Sequence, residues 1–201
     1  NLNSYNFSAQ TNDKVSIVMT RTDGEINPVI RLYAPDGSLV KASGTSFYDD
    51  HSEGFLDAVS LNQAGTYTIL ATDQNGNETG NFNIGLQRTN NPANSTNINF
   101  GDTAAGSLDV GTNLNSYNFS AQTNDKVSIV MTRTDGEINP VIRLYAPDGS
   151  LVKASGTSYY DNHSEGLLDA VSLNQAGTYT ILATDQNGNE TGKFDLSLQR
   201  G

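Results

Sequence analysis

The chain has no cysteine and no tryptophan. Without cysteine, any fold it makes must stand on packing rather than on disulfides. Histidine occurs only at His51 and His163, which leaves little material for a catalytic triad or for general acid–base work. Lys and Arg number 11 against 22 Asp and Glu, for a net charge of −11. No basic stripe can form, which argues against nucleic acid and anionic membrane surfaces as partners. No apolar run approaches the ~20 residues of a membrane-spanning helix, so membrane insertion is not expected. There is no Gly-x-Ser-x-Gly, no His-Glu-x-x-His and no phosphate-cradling glycine loop, and the chain reads as non-catalytic. It carries no initiator Met and no signal segment, which is expected of a mature product or an excerpt.

What the sequence does have is a repeat. Residues 1–88 and 113–200 match at 81 of 88 positions with an offset of 112. The differences are Phe47/Tyr159, Asp50/Asn162, Phe55/Leu167, Asn81/Lys193, Asn83/Asp195, Ile84/Leu196 and Gly85/Ser197. Self-similarity at a fixed period marks a tandem array. Three segments are expected: a first β-sandwich over 1–88, a linker over 89–95, and a second sandwich over 96–201. The richness in Asn, Thr, Ser and Gly, with an excess of acid in both copies, favours the exterior of a prokaryotic cell, secreted or on its surface.

The period of the apolar residues is two. Tyr5, Phe7 and Ala9 alternate with polar residues, as do Val15, Ile17 and Met19, and Ile30, Leu32 and Ala34. Leu39–Val40, Phe55–Leu61, Tyr67–Ala71 and Phe82–Leu86 follow, each short and bounded by turn residues, which is an all-β signature. Pro35-Asp36-Gly37 predicts a turn between two strands, and Asn75-Gly76 predicts a hairpin between the last two. Ile98, Phe100, Leu108 and Val110 predict an additional strand or strand pair belonging to the second copy. The sequence begins at the match of Asn113, so the first copy is expected to lack this opening strand and to present an open edge.

The order Ile98-Asn-Phe-Gly-Asp-Thr-Ala-Ala-Gly-Ser-Leu108, Ser116-Tyr-Asn-Phe119, Asn124-Asp-Lys-Val127, Ile142-Arg-Leu-Tyr-Ala-Pro-Asp-Gly149 and Ala176-Gly-Thr-Tyr-Thr-Ile181 resembles the bacterial pre-peptidase C-terminal domain. The same run without its first strand spans Ser4 to Leu86, so the resemblance covers nearly the whole chain. It implies two tandem jelly-roll-like antiparallel β-sandwiches, secretion, and an accessory role without catalysis. It also implies attachment to a hydrolase or a tandem arrangement in large surface proteins. Some members bind calcium, and some bind collagen or polysaccharide.

Two loops carry candidate ligands. Asp73, Asn75, Asn77 and Glu78, repeated as Asp185, Asn187, Asn189 and Glu190, place oxygen atoms at alternate positions, a spacing that can converge on calcium, which takes about six to eight hard oxygens. The competing reading is a polar hairpin tip. In the second loop, Asp49 and Asp50, with Asp161 and Asn162, offer further oxygens for a cation. Its aromatic and imidazole groups, Phe47, Tyr48 and His51 with Tyr159, Tyr160 and His163, are candidates to stack on and hydrogen-bond a sugar. The competing reading there is a surface loop whose aromatics cover the end of the core.

The leading expectation is an extracellular structural repeat, a stalk, adhesin or filament subunit. Its partners are neighbouring copies of itself, joined head to tail or by strand donation across the open edge. The alternative is a calcium-stabilised accessory module that holds polysaccharide or a protein fibre, gaining avidity from two sites.

Overall fold

A computed structural model of the chain describes residues 2–43, 52–155 and 163–201. Its regular structure is entirely β. The strands are β1 (Asn3–Ala9), β2 (Lys14–Gly24), β3 (Pro28–Tyr33), β4 (Leu39–Ala42), β5 (Glu53–Ser60), β6 (Gly65–Asp73), β7 (Gly80–Arg88) and β8 (Thr96–Asn97). They continue as β9 (Thr103–Leu108), β10 (Asn115–Ala121), β11 (Lys126–Gly136), β12 (Pro140–Tyr145), β13 (Leu151–Ala154), β14 (Glu165–Ser172), β15 (Gly177–Asp185) and β16 (Gly192–Arg200).

Two β-sandwiches result. In the first, a sheet ordered β1-β6-β3-β4 faces one ordered β5-β2-β7; in the second, β13-β12-β15-β10-β8 faces β14-β11-β16-β9. The alternation read from the sequence sets which side chains meet between the sheets. Val15, Ile17, Met19, Ile30, Leu32, Tyr67 and Ile69 form the first core, and Val127, Ile129, Met131, Ile142, Leu144, Tyr179 and Ile181 the second. The buried tyrosine of the Ala-Gly-Thr-Tyr strand has its polar end satisfied. The Tyr67 hydroxyl donates to the Gln63 carbonyl at 3.0 Å and accepts from the Gln63 N–H at 3.1 Å. Its ring stacks on Phe7 at 5.7 Å, as Tyr179 stacks on Phe119 at 5.6 Å.

The opening segment of the second copy splits between its two sheets. β8 runs parallel to β10 over Thr96 and Asn97, the one parallel pairing among the described strands, while β9 pairs antiparallel with β16. Both edges are thereby covered, and Ile98 and Leu108 are sunk into the core. Gly106 is what lets β9 sit close. A Cβ there would lie 2.3 Å from the Phe194 ring and 2.6 Å from the Tyr117 hydroxyl. In the first copy the edges at β1 and β7 have no such cover. Leu86 is 40 % exposed where its match Leu198 is fully buried, and Tyr5 is 40 % exposed where Tyr117 is 4 %. These exposures differ with the neighbouring strands β8 and β9 and not with residue type, since both pairs are chemically identical.

The turn at Pro35-Asp36-Gly37 joins β3 to β4 as predicted, with the Asp36 carboxylate accepting from Ser38. The Asn75-Gly76 prediction is corrected. β6 and β7 lie in different sheets, so residues 74–79 form an arch across the sandwich and not a hairpin. Side-chain capture of backbone N–H groups, described below, overrides the local turn preference.

Candidate functional site at the joint between the copies

Chemically equivalent residues have different surroundings in the two copies, and that difference locates the site. On the outer face of β2, Ser16, Val18 and Thr20 are as buried as the inner residues, although their matches Ser128, Val130 and Thr132 are partly or fully exposed. On the β10–β15–β12 sheet, Ser116, Asn118, Tyr145, Thr180 and Leu182 are buried, while Ser4 and Asn6 are exposed and Tyr33, Thr68 and Leu70 partly so. The outer face of the first copy's β5-β2-β7 sheet therefore packs on the outer face of the second copy's β12-β15-β10 sheet.

The centre of this joint is polar. β2 and β5 slip register between Val15 and Ile17, producing a bulge in which Ala58 has a φ of 47°. Left-handed backbone at a residue with a Cβ is uncommon and costs energy, and bulges serve to re-aim neighbouring side chains. Here the Ser16 hydroxyl accepts the Ala58 N–H at 3.2 Å and donates to Asp57 Oδ1 at 2.8 Å. Into this notch comes Tyr145 from the second copy, its hydroxyl donating to Asp57 Oδ1 at 2.5 Å. Burial, reinforced by the Asp57 charge, pushes the Tyr145 hydroxyl far above the ordinary phenol range, so it stays protonated and remains a donor. Arg143 stands beside it. Its Nε lies 3.9 Å from Asp57 Oδ2, its Nη1 donates to Thr184 Oγ1 at 3.1 Å, and its guanidinium lies 4.4 Å from the centre of the Phe55 ring. A buried carboxylate is tolerable only when paired and hydrogen-bonded in this way.

Around the centre the copies are tied at several further points. Gln87 Nε2 donates to the Leu114 carbonyl and to Ser116 Oγ at 3.3 and 3.2 Å. The Thr89 hydroxyl donates to the Gly149 carbonyl at 2.9 Å, and Lys14 Nζ lies 3.6 Å from Asp148 Oδ2. Asn90 Oδ1 accepts the Lys14 N–H at 2.9 Å. The segment between the sandwiches is thus fastened to both. Glu53 is half-buried at the same joint. Burial, opposed by the Arg143 guanidinium and reinforced by Asp185, pushes its carboxyl up to about 7.

Each acidic loop is closed by its own aspartate. Asp73 Oδ1 accepts the Asn27 N–H at 2.8 Å, and Asp73 Oδ2 accepts from Asn75, Asn77 and Glu78 N–H groups at 3.2, 3.2 and 3.4 Å. These backbone hydrogen bonds outweigh desolvation and hold the Asp73 carboxyl below its ordinary value. Asn27 Nδ2 completes the arch by donating to Glu78 Oε2 at 2.7 Å. The second copy repeats this. Asp185 accepts from Asn139, Asn189 and Glu190, and Asn139 Nδ2 donates to Glu190 Oε2 at 2.6 Å. Burial, together with the charges of Asp185 and Glu137, raises the Glu190 carboxyl. Asn75 and Asn77 project at an exposed tip, while Asn187 lies at the joint, where its carbonyl faces the Thr20 hydroxyl at 3.5 Å. Among the described residues no three His, Asp or Glu side chains gather as a metal cluster.

The second loop falls almost wholly outside the described residues: Phe47, Tyr48, Asp49, Asp50, His51, Tyr159, Tyr160, Asp161 and Asn162 are not placed. His163 is, and its N–H donates to Asn139 Oδ1 at 3.1 Å. Asn139 therefore ties the end of the second loop, just ahead of β14, to the acidic arch, while Asn27 closes the arch of the first copy; sequence reasoning missed both. It also missed Ser16, Asp57, Arg143 and Tyr145. The one available signal was Phe55 and Gly85, two of the few positions at which the copies differ.

No family model and no curated protein matches the chain. Among solved structures, the pre-peptidase C-terminal domain of collagenase from Bacillus anthracis is similar, with 19% identity, 55% of this chain and 99% of that one covered, and a TM-score of 0.41. It is itself a member of the family that the sequence resembles. PliG, a periplasmic inhibitor of g-type lysozyme from Aeromonas hydrophila, is similar at 14% identity over 52% of this chain and 96% of that one, with a TM-score of 0.36. The CUB1-EGF-CUB2 region of human MASP-1/3 is similar at 9% identity over 100% and 93%, with a TM-score of 0.32. At these TM-scores none of the three carries an inference about this chain.

Two outcomes are expected of the joint. Tyr145→Phe removes a hydrogen bond to a carboxylate and should cost about 1.5–3 kcal/mol in urea unfolding, whereas Tyr33→Phe should change stability by less than about 0.5 kcal/mol; equal costs would show that the hydroxyl does not act through the joint. The Glu53 carboxyl is raised from 4.5 to about 7 when docked, so docking favours its protonated form. The joint should be firmest at about pH 4.5 and weaken as pH rises from there to 7, followed by small-angle scattering, and Glu53→Gln should make it indifferent to pH over that window.

Proposed function

We propose that the chain is a non-catalytic structural repeat, part of a stalk, adhesin or filament that works outside the cell or on its surface. The β-sandwich module is the building unit, and neighbouring units are its partners. The observation that supports this reading most is the form of the joint. Two nearly identical sandwiches meet through different faces, one offering the Ser16–Asp57 notch and the other the Arg143–Tyr145 pair. A contact between unlike faces of like units is the kind that extends into a chain. Composition supports an external location: twice as many acidic as basic residues, and a chain rich in Asn, Thr and Ser.

The open edge supports assembly by strand donation. Beside β7 lies a cavity of about 210 Å³ lined by Met19, Ile26, Ala71, Gly80 and Phe82 among others. In the second copy Leu108 stands opposite Gly192, the match of Gly80, and is fully buried. A strand with the pattern of Thr103–Leu108 has the length and the apolar residue to fill the first copy's gap.

Electron microscopy of material isolated from its source tests the assembly reading; regular fibres are expected, and isolated two-lobed particles would count against it. A peptide spanning residues 96–108 tests strand donation. It should raise the melting temperature of the intact chain, while the same peptide with Ala for Gly106 should not, because its Cβ would strike the position of Phe82 as it would strike Phe194. A rise with both peptides, or with neither, would overturn donation at β7.

A further inference from the structure

The arch between β15 and β16 carries Asn187-Gly188, and the joint closes on it. The Asn187 carbonyl faces the Thr20 hydroxyl at 3.5 Å. Gly188 is buried, with a left-handed φ of 66°. A Cβ on it would stand 2.5 Å from Thr20 Oγ1 and 3.5 Å from Val18 Cγ2, so β2 of the first copy comes up against the backbone itself. Gly111, in the segment ahead of β10, packs on the same stretch. A Cβ there would strike the Gly188 carbonyl and lie 2.7 Å from the Asn189 nitrogen. The matching Gly76 has the same sequence around it and a φ of 73°, yet a Cβ on it would meet nothing within 4 Å. The tight packing therefore comes from the joint and not from the arch.

An asparagine followed by glycine has a reaction of its own. The glycine nitrogen, unhindered by a side chain on its own residue, attacks the asparagine Cγ and gives its proton to water. The Cγ–Nδ2 bond breaks, the amide nitrogen leaves as ammonia, and a five-membered succinimide ring closes. Water then opens the ring at one carbonyl or the other, leaving aspartate or isoaspartate; nothing is oxidised or reduced. Ring closure requires the Asn187-Gly188 peptide to rotate out of its turn and water to reach it. Docked, it can do neither, because it is wedged between Thr20 and Gly111, and Thr20 is only 1 % exposed. Undocked, the arch keeps the hydrogen bonds from Asn189 and Glu190 to Asp185, while the Asn187-Gly188 peptide loses the wall that the first copy provides.

We propose that Asn187-Gly188 is a deamidation site governed by the joint: docking protects it, opening exposes it, and conversion keeps the joint from closing again. The last step follows from the products. Isoaspartate routes the backbone through the former side chain and lengthens it by one carbon, at a place where Gly188 has no room even for a methyl group. Aspartate puts a negative charge close to Asp185, which already acts on Glu190 and, across the joint, on Glu53. Like charges brought together under cover from water oppose docking. Each opening thus exposes the joint to permanent release, and the fraction converted records how long the two sandwiches have been apart. Only the joint within one molecule is needed, so the site stands whether or not molecules assemble.

Peptide mapping by mass spectrometry of the whole chain, aged in neutral buffer, tests this. Two variants open the joint from opposite sides. Thr20→Arg fills the place against which Gly188 packs; its match Thr132 is exposed, so the sandwich itself has room for a larger residue there. Tyr145→Ala removes the donor to Asp57. Small-angle scattering establishes that each is extended and circular dichroism that each is folded, with the double variant used where either alone stays compact. Conversion at Asn187 should be at least about tenfold faster in the opened chains than in the native one, as expected of a group reached only through local opening. In aged native material, molecules converted at Asn187 and separated by anion exchange should scatter as extended particles, while unconverted ones stay compact. Equal rates in native and opened chains, no conversion in either, or converted molecules that remain compact would each overturn the proposal.

Discussion

The Asp57 carboxylate is the point on which the arrangement of the two sandwiches turns. It sits half-buried between them and takes hydrogen bonds from Ser16 within its own copy and from Tyr145 across the joint, with the Arg143 guanidinium close to its other oxygen. A carboxylate withdrawn from water without such partners would cost several kcal/mol, and with them it fixes geometry tightly, because each donor must arrive from one direction. The bulge at Ala58 is part of the same constraint. It spends backbone strain to aim Asp57 and to place an N–H on Ser16, leaving the serine hydroxyl free to donate. Because the second copy shows the same bulge and the same bond at Ala170 and Ser128, the strain belongs to the fold and precedes docking.

A second constraint acts at the sheet edges. A sandwich with uncovered edges exposes both backbone groups and core side chains. The second copy meets this with a short segment that sends β8 to one sheet and β9 to the other, sinking Ile98 and Leu108 between them. The first copy has the same core residues on its matching strands, but for Ile84 in place of Leu196, with less cover, so Leu86 and Tyr5 show what the segment contributes. Two nearly identical sequences thus stand in two different surroundings, with opposite faces engaged.

Much of the fold is legible in the residues. The alternation at Val15–Met19 and Phe82–Leu86 gives the strands and their inward faces, and Ile98 with Leu108 marks the added pair. What is not legible has physical reasons. Ser16, Val18 and Thr20 look like a solvent face, and in the second copy their matches are one; the same letters cannot announce two different environments. Tyr145 and Tyr33 are likewise indistinguishable until the copies are placed. Asn75-Gly76 reads as a hairpin because the pair is favoured there, but Asp73 captures three N–H groups of the loop and turns the chain toward the opposite sheet. The oxygens at alternate positions are compatible both with metal ligands and with a polar loop tip, and the sequence does not tell that the Asp73 carboxylate is directed at backbone N–H groups.

The joint also gives the molecule a direction. Its two contributing faces are unlike, so no two-fold axis relates the sandwiches. One end of the molecule displays tyrosine and arginine, and the other displays a serine–aspartate notch. A row of such units has a head and a tail that differ chemically, as an arrow does. Sandwiches repeated through this joint would all point the same way, each presenting the same face to the next.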